Sequence, residues 1–367
     1  GPFWVAIGMA GLFSDITEKK HLFNNFSGNK ELLNQYIQLL KVMGWLDNDK
    51  YASLTKKGVF FAKRAMAYGV TVSYLHTFKQ FNNLFYGNPN IMWEKNKNEP
   101  EKHVDRTMNV WGSGGAHLAY FKKIDEIIIK IFNAPINNQP EGISDMGCGD
   151  GTFLKHLYEL IIDKTKRGKY IKDYPLTLIG ADYNKAALVA SKKTLTKIDT
   201  NKIFMHADIS NPNKFAKDLQ KKHAIDLKNL LNVRSFLDHN RIFKDPKNFK
   251  EKYIAKSTGA FSFRGKWLSN SEVEQNLIEH FNKWAPFIKR YGLIVLELHT
   301  IDSSIAAKNI GNTISTAYDG THGFSDQYIV EYPVFLHCAK IAGINKQIET
   351  ITFPNKKLGT ISINWLK

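Results

Sequence analysis

Positions 145 to 151 read Asp145-Met146-Gly147-Cys148-Gly149-Asp150-Gly151. Glycines at alternate positions let the backbone bend sharply and let a ligand come close. Residues 143–148 read as a short buried strand, and those from about 152 to 162 as a helix whose positive N-terminal end faces the turn. A strand, glycine turn and helix in this order form the nucleotide-binding corner of a doubly wound α/β sheet. More groups able to do chemistry sit where later strands should end. Asp182, followed by Tyr183, closes a strand over 174–181, where a carboxylate can accept hydrogen bonds from both ribose hydroxyls. Asp208 and Ile209 close a third strand over 202–207, placed to meet an adenine amino group and to pack on the ring. A fourth strand (226–233) runs into Arg234-Ser235-Phe236-Leu237-Asp238-His239-Asn240-Arg241, and a fifth (292–298) ends at His299. Ligands of open α/β sheets sit beyond the carboxyl ends of their strands, so these groups should converge.

The pattern Asp-x-Gly-x-Gly-x-Gly resembles motif I of class I S-adenosylmethionine (SAM) methyltransferases, and the acidic Asp145 favours SAM over a nicotinamide dinucleotide. The remaining elements fit such a core. A helix follows over 184–195 and another over 271–288, and 243–270 reads as an insertion with little regular pattern. Segments 346–353 and 358–366 read as the antiparallel hairpin that closes this kind of sheet.

Residues 1–102 read as a separate helical lid domain, with the core over 103–367. Leu32, Leu33, Tyr36, Ile37, Leu39, Leu40 and Met43 recur at helical spacing, and Gly44 ends that helix. A short hairpin over 45–55 and a helix from Thr55 complete a winged-helix pattern. Such a unit can bind DNA, but beside a SAM corner a lid or dimerisation arm is the better reading. Aromatic residues crowd 68–93, among them Tyr74, Phe81, Phe85 and Tyr86, as expected of a buried interface. Gly112-Ser113-Gly114-Gly115 reads as a flexible hinge ahead of a helix over 118–132, and Ser113 and Gly114 join the candidate cofactor contacts.

The chain has 367 residues and a formal net charge of +17. Its lysines are dispersed rather than gathered into one arm, which favours a solvated basic surface or an acidic protein partner over nucleic acid. No apolar run reaches membrane-spanning length. Cys148 and Cys338 supply neither a disulfide framework nor a zinc quartet nor an iron–sulfur site, as fits a reducing cytoplasm. The sequence opens Gly1-Pro2 without methionine, as expected of a domain within a longer polypeptide or of a tag remnant.

His103-Val104-Asp105-Arg106, the block from Asn109 to His117, segment 144–158 and the block from Val233 to Arg241 together resemble the C-methyltransferase domains of polyketide synthase loading modules, typified by the metal-dependent methyltransferase of apratoxin A synthase. The resemblance runs from about residue 30 onward. It implies an α/β core under a helical lid and methyl transfer from SAM to the α-carbon of a malonyl or methylmalonyl thioester. It also implies that the thioester rides on the phosphopantetheine arm of an acyl carrier protein. Carrier proteins are acidic, which would give the basic surface a use.

The resemblance further implies a mononuclear iron- or manganese-like metal near the methyl donor, where it would stabilise an enolate as a Lewis acid. The expected ligands are His299 and Gln327, with His322, Asp238 and His239 in reserve. A lone histidine after the fifth strand can instead be a metal-free base. The candidate catalytic set is His299, Arg234 and Asp238. Asp145, Gly147, Gly149, Asp182, Tyr183, Asp208, Ile209 and Arg234 are expected at SAM. A small-molecule O-methyltransferase under a winged-helix lid, or a nucleic-acid-binding methyltransferase, are the alternatives.

Overall fold

The computed structural model describes residues 1–10, 28–47, 53–62, 65–94, 101–309, 323 and 325–367. The chain divides into two compact units, Gly1–Tyr120 and Phe121–Lys367.

The first unit is helical. Its Lys30–Val42 helix starts where the Asn29 side chain accepts the Leu32 N–H, satisfying one of the free N–H groups of the first turn. It ends just before Gly44, at φ +69°. Leu33 and Leu40 face a core with Phe3, Trp4, Ile7 and Ala62, and Trp45 stacks on Phe61 with ring centroids 4.2 Å apart. Of the expected hairpin, the antiparallel bridge Leu46–Leu54 is described, followed by the Lys56–Ala62 helix.

Two expectations for this unit need correction. The Gly-Ser-Gly-Gly run is not a hinge, because it lies inside one helix, Arg106–Phe121. A tertiary contact overrides its poor helix propensity: a Cβ on Gly112 would sit 2.7 Å from Val70 N, and one on Gly69 2.7 Å from Gly112 Cα. Glycine at both positions lets the Ala65–Ser73 helix and this one touch backbone to backbone. The aromatic run is also less buried than expected: Tyr74 is interior, whereas Phe81, Phe85 and Tyr86 are exposed.

The second unit is built on one seven-stranded sheet. Its strands are β1 (Gly142–Met146), β2 (Thr177–Asp182), β3 (Lys202–His206), β4 (Leu230–Ser235), β7 (Leu293–Leu298), β8 (Gln347–Phe353) and β9 (Ile361–Leu366). The order is β3-β2-β1-β4-β7-β9-β8. The first five are parallel, and β9 and β8 run antiparallel to them as the closing hairpin. The β1, β4 and β7 segments are buried almost throughout because both sheet faces are covered. Chain order reverses between β1 and β4, which opens a crevice at their carboxyl ends. Between β4 and β7 the insertion holds a small hairpin, β5 (Phe261–Phe263) with β6 (Lys266–Leu268). It is followed by the Asn270–Ile288 helix, which a Ser269–Glu272 capping box starts. Helices at Pro212–His223 and Tyr332–Ile341 add to the expected elements. Among the described residues no helix is long and apolar enough to cross a membrane.

Candidate active site

Beyond β1 the backbone turns at Gly147, Gly149 and Gly151, with φ of +80°, +53° and +81°. Side chains avoid that region. At Gly147 a Cβ would also lie 2.7 Å from Leu237 Cδ2. The Gly149 N–H donates to Asp182 Oδ2 (3.1 Å) and the Asn184 N–H to Oδ1 (2.7 Å), which fixes the carboxylate at the end of β2 against the glycine turn. A cavity of about 160 Å³ follows this edge. Gly147, Asp182, Tyr183, Asp208 and Ile209 all line it, together with Met146, Ala207, Leu237, Asn240 and Ile242.

Asp145 is 1% exposed, and neither carboxylate oxygen has a hydrogen-bond partner. Burial, then the nearby charges of Asp182 and Asp150, push its pKa well above the ordinary value. Asp145 does not line the cavity itself, whose wall starts at the next residue, Met146. SAM carries an ammonium and a sulfonium, either of which would favour the ionised carboxyl, so this acid and the cavity next to it fit SAM.

The block at the end of β4 and just beyond it divides into two arrangements. Arg234 and Asp238 are fully buried as a two-point pair, Nε to Oδ2 at 2.8 Å and Nη2 to Oδ1 at 2.7 Å. His280 Nε2 lies 2.8 Å from Asp238 Oδ1, and the Arg234 guanidinium lies 4.9 Å from the Trp284 ring centroid. Burial opposes ionisation of Asp238, but Arg234 and the His280 hydrogen bond outweigh it and hold the carboxyl below its usual range. Burial lowers His280 to about 4 despite Asp238. Arg241 is buried too, donating to the Asp238 and Val273 carbonyls and to Asn276 Oδ1. Neither Arg234 nor Asp238 lines the cavity beside the glycine turn, so these two candidate catalytic side chains sit in a packed interior network.

His239 borders a small neighbouring cavity together with Asp238, Arg241 and Glu297. Its Nδ1 lies 2.5 Å from Glu297 Oε1 on β7, and Glu297 also accepts the backbone N–H groups of His239 (3.2 Å) and Leu298 (2.7 Å). An ionised carboxylate only accepts, so Nδ1 carries the proton and Nε2 keeps its lone pair. That Nε2 lies 3.0 Å from the Asn240 amide, and Asn240 is on the cavity wall. Glu297 is absent from the candidates named above. Its one signal in the sequence is a lone acid inside the apolar run Leu293-Ile294-Val295-Leu296-Glu297-Leu298.

His299 follows β7 and is buried among Tyr332 and Phe335. Both its ring nitrogens are engaged, Nδ1 at 3.2 Å from the Val330 carbonyl and Nε2 at 2.7 Å from Ser362 Oγ. Burial lowers its pKa to about 3. Gln327 is half-buried, and His322 lies outside the described residues, as does the side chain of Ser113. Among the described residues no group of three or more His, Cys, Asp or Glu side chains could hold a metal ion. With the Nε2 of His299 committed to Ser362, the described donors do not fit the expected metal.

Comparison with known families decides the identity of the core. Residues 101–364 match the model of the AprA MT2-like domain, and residues 1–88 that of the AprA winged helix domain. The chain belongs to the AprA MT2-like methyltransferase family. This AprA MT2-like protein is therefore a SAM-dependent methyltransferase with an N-terminal winged helix domain. Among solved structures it is similar to the mitomycin 7-O-methyltransferase MmcR, at 11% identity and a TM-score of 0.53, covering 99% of this chain and 92% of that one. It is also similar to a candidate O-methyltransferase from Nostoc punctiforme PCC 73102, at 10% identity and a TM-score of 0.51, covering 99% and 94%. At such identities the likeness speaks to the fold. No curated protein matches the chain.

Proposed function

We propose that this methyltransferase transfers a methyl group from SAM to the α-carbon of a malonyl or methylmalonyl thioester carried by an acyl carrier protein in polyketide biosynthesis. The observation that carries the reading is the His239–Glu297 pair, whose Nε2 accepts a hydrogen bond from the amide of Asn240, a residue of the cavity wall. Bound in that cavity, SAM supplies an electrophilic methyl group. The protein must then supply a carbon nucleophile, and the α-proton of such a thioester is acidic enough for a positioned imidazole to remove. His239 Nε2 takes the proton once the Asn240 amide moves aside. Glu297 holds the ring in the required tautomer and stabilises the imidazolium that forms. The electron pair left on the α-carbon closes on the methyl carbon. Methyl transfer releases the remaining group as a neutral thioether.

The metal implied by the family resemblance has no fitting donor set among the described residues, and no step is assigned to it. The same imidazole and carboxylate would deprotonate a hydroxyl equally well. An O-methyltransferase acting on a free small molecule is therefore the second reading.

Intact-mass spectrometry of a malonyl-loaded carrier protein, incubated with this chain and SAM, separates the two. A gain of one or two methyl masses that persists with chelator supports the proposal. Glu297→Gln and His239→Ala should each slow it by about 100- to 10,000-fold. No gain, with a free hydroxyl compound methylated instead, moves the assignment to oxygen. A gain lost with chelator puts a metal back in the reaction.

A further inference from the structure

The insertion between β4 and β7 has little regular secondary structure, yet its backbone is firmly held. The Asn270–Ile288 helix acts as a rail along it. Asn276 Nδ2 donates to the Lys244 carbonyl (2.7 Å), Glu279 accepts the Asn248 N–H (2.9 Å), and Gln275 accepts the Lys250 N–H (2.6 Å). The buried Glu274 accepts the N–H groups of Lys256 (2.7 Å) and Ser257 (2.6 Å) and the Tyr253 hydroxyl (2.6 Å). Glu331 accepts the Thr258 N–H and hydroxyl and the Ser257 hydroxyl. Each of these contacts pins a backbone group or a hydroxyl, and none uses a lysine head group.

What this fixed segment displays is charge and apolar surface together. From Lys244 to Trp267 there are seven basic residues and two acidic ones, a net +5 out of +17 for the whole chain. All seven basic side chains are exposed. Between them stand Phe249, Ile254 (86% exposed) and Trp267 (71% exposed). The segment also begins at the cavity, since Asn240 and Ile242 line it and the chain passes straight from them to Lys244. Large exposed apolar residues rimmed by one sign of charge mark a protein contact surface.

We infer that residues 244–267 form the docking platform for an acidic protein helix that delivers a tethered thioester to the cavity. This rests on the function proposed above and names the surface that receives the carrier. The charge steers an acidic partner in, and Phe249, Ile254 and Trp267 give it apolar contact. Nucleic acid could use the same charge, but the platform combines it with a cavity that takes a small substrate.

The test compares two substrates, malonyl-loaded carrier protein and a free malonyl pantetheine thioester, on the full chain and on the Lys247→Glu/Lys252→Glu/Lys266→Glu variant. Roughly tenfold or greater loss of kcat/KM for the carrier-bound substrate is expected. Turnover of the free thioester should be unchanged, which also reports that the variant folds. Raised salt should slow the carrier reaction alone. Equal turnover of both substrates by variant and parent overturns the platform and leaves the proposed function standing. Failure of the parent chain to methylate either substrate overturns both. Tight, steeply salt-dependent binding of polyuridylate RNA that competes with the carrier and is lost in the variant would reassign the surface to nucleic acid.

Discussion

Asp145 and Asp238 are each 1% exposed, and their surroundings could hardly differ more. Asp238 meets Arg234 at two points and His280 at a third, and its carboxyl is held below the usual range. Asp145 has no hydrogen-bond partner, and burial raises its pKa. A buried charge is costly unless it is paired. Asp238 has met that requirement inside the fold, so it holds the loop after β4 in place. Asp145 has not, and a cation supplied from outside would meet it. Burial alone does not mark a functional acid, and the missing partner does.

Removing each acid should therefore have opposite effects. Asp238→Ala leaves Arg234 buried and unpaired, and should cost about 3–5 kcal/mol of stability, read as a large fall in Tm and in the denaturant midpoint. An unchanged midpoint would mean that the network is not structural. Asp145→Asn removes a carboxyl that burial keeps from ionising, so it should leave the free protein as stable as before or stabilise it by about 1 kcal/mol. A destabilisation as large as that of Asp238→Ala would erase the contrast.

The first unit offers an intermediate case. Gly112→Ala would gain about 1 kcal/mol of helix propensity. Its new Cβ would press on the backbone of Gly69 and Val70, which cannot yield like a side chain. Overpacking of that kind costs about 1–3 kcal/mol, so net destabilisation is expected, measured as a lower unfolding midpoint. A stabilised variant would show that the two helices do not touch there.

The smallest effect is on pH dependence. His280 and His299 are lowered to about 4 and about 3, below the ordinary 6.5. The unfolded chain therefore binds more protons than the folded one below about pH 6.5, and stability should fall as pH drops from there towards 4. Above pH 6.5 both are neutral in either state and add no slope. Replacing His280 with Gln should flatten that acid-side slope, as urea midpoints at several pH values would show.

These contrasts also explain what was legible in the sequence. The glycine turn, Asp182 and Asp208 announced themselves because a parallel sheet writes its ligand edge at fixed places, the ends of apolar strands. The His239–Glu297 pair could not be read that way. Its members stand 58 residues apart, and only the pairing of β4 with β7 brings them together. Arg234 and Asp238 looked catalytic because charged residues at and just beyond the carboxyl end of such a strand usually face the ligand, whereas the fold turned them inward on Trp284 and His280. The hinge expected at Gly112 failed for a similar reason: local propensity favours a break, and the contact that makes glycine useful lies on another helix. The insertion looked patternless because side chains of the following helix, rather than a repeating ladder, hold it.

The most direct test of the contrast is calorimetric titration of SAM into the parent chain and into Asp145→Asn across a range of pH. A bound cation favours the ionised carboxyl, so SAM binding to the parent should release a proton and tighten as pH rises through the raised Asp145 value. In Asp145→Asn that pH dependence should vanish, and affinity at the upper end should drop by roughly 10- to 100-fold, the size of one charge-assisted contact. Equal affinity and equal pH dependence in the two proteins would contradict the claim that Asp145 is the acid left open for the cofactor.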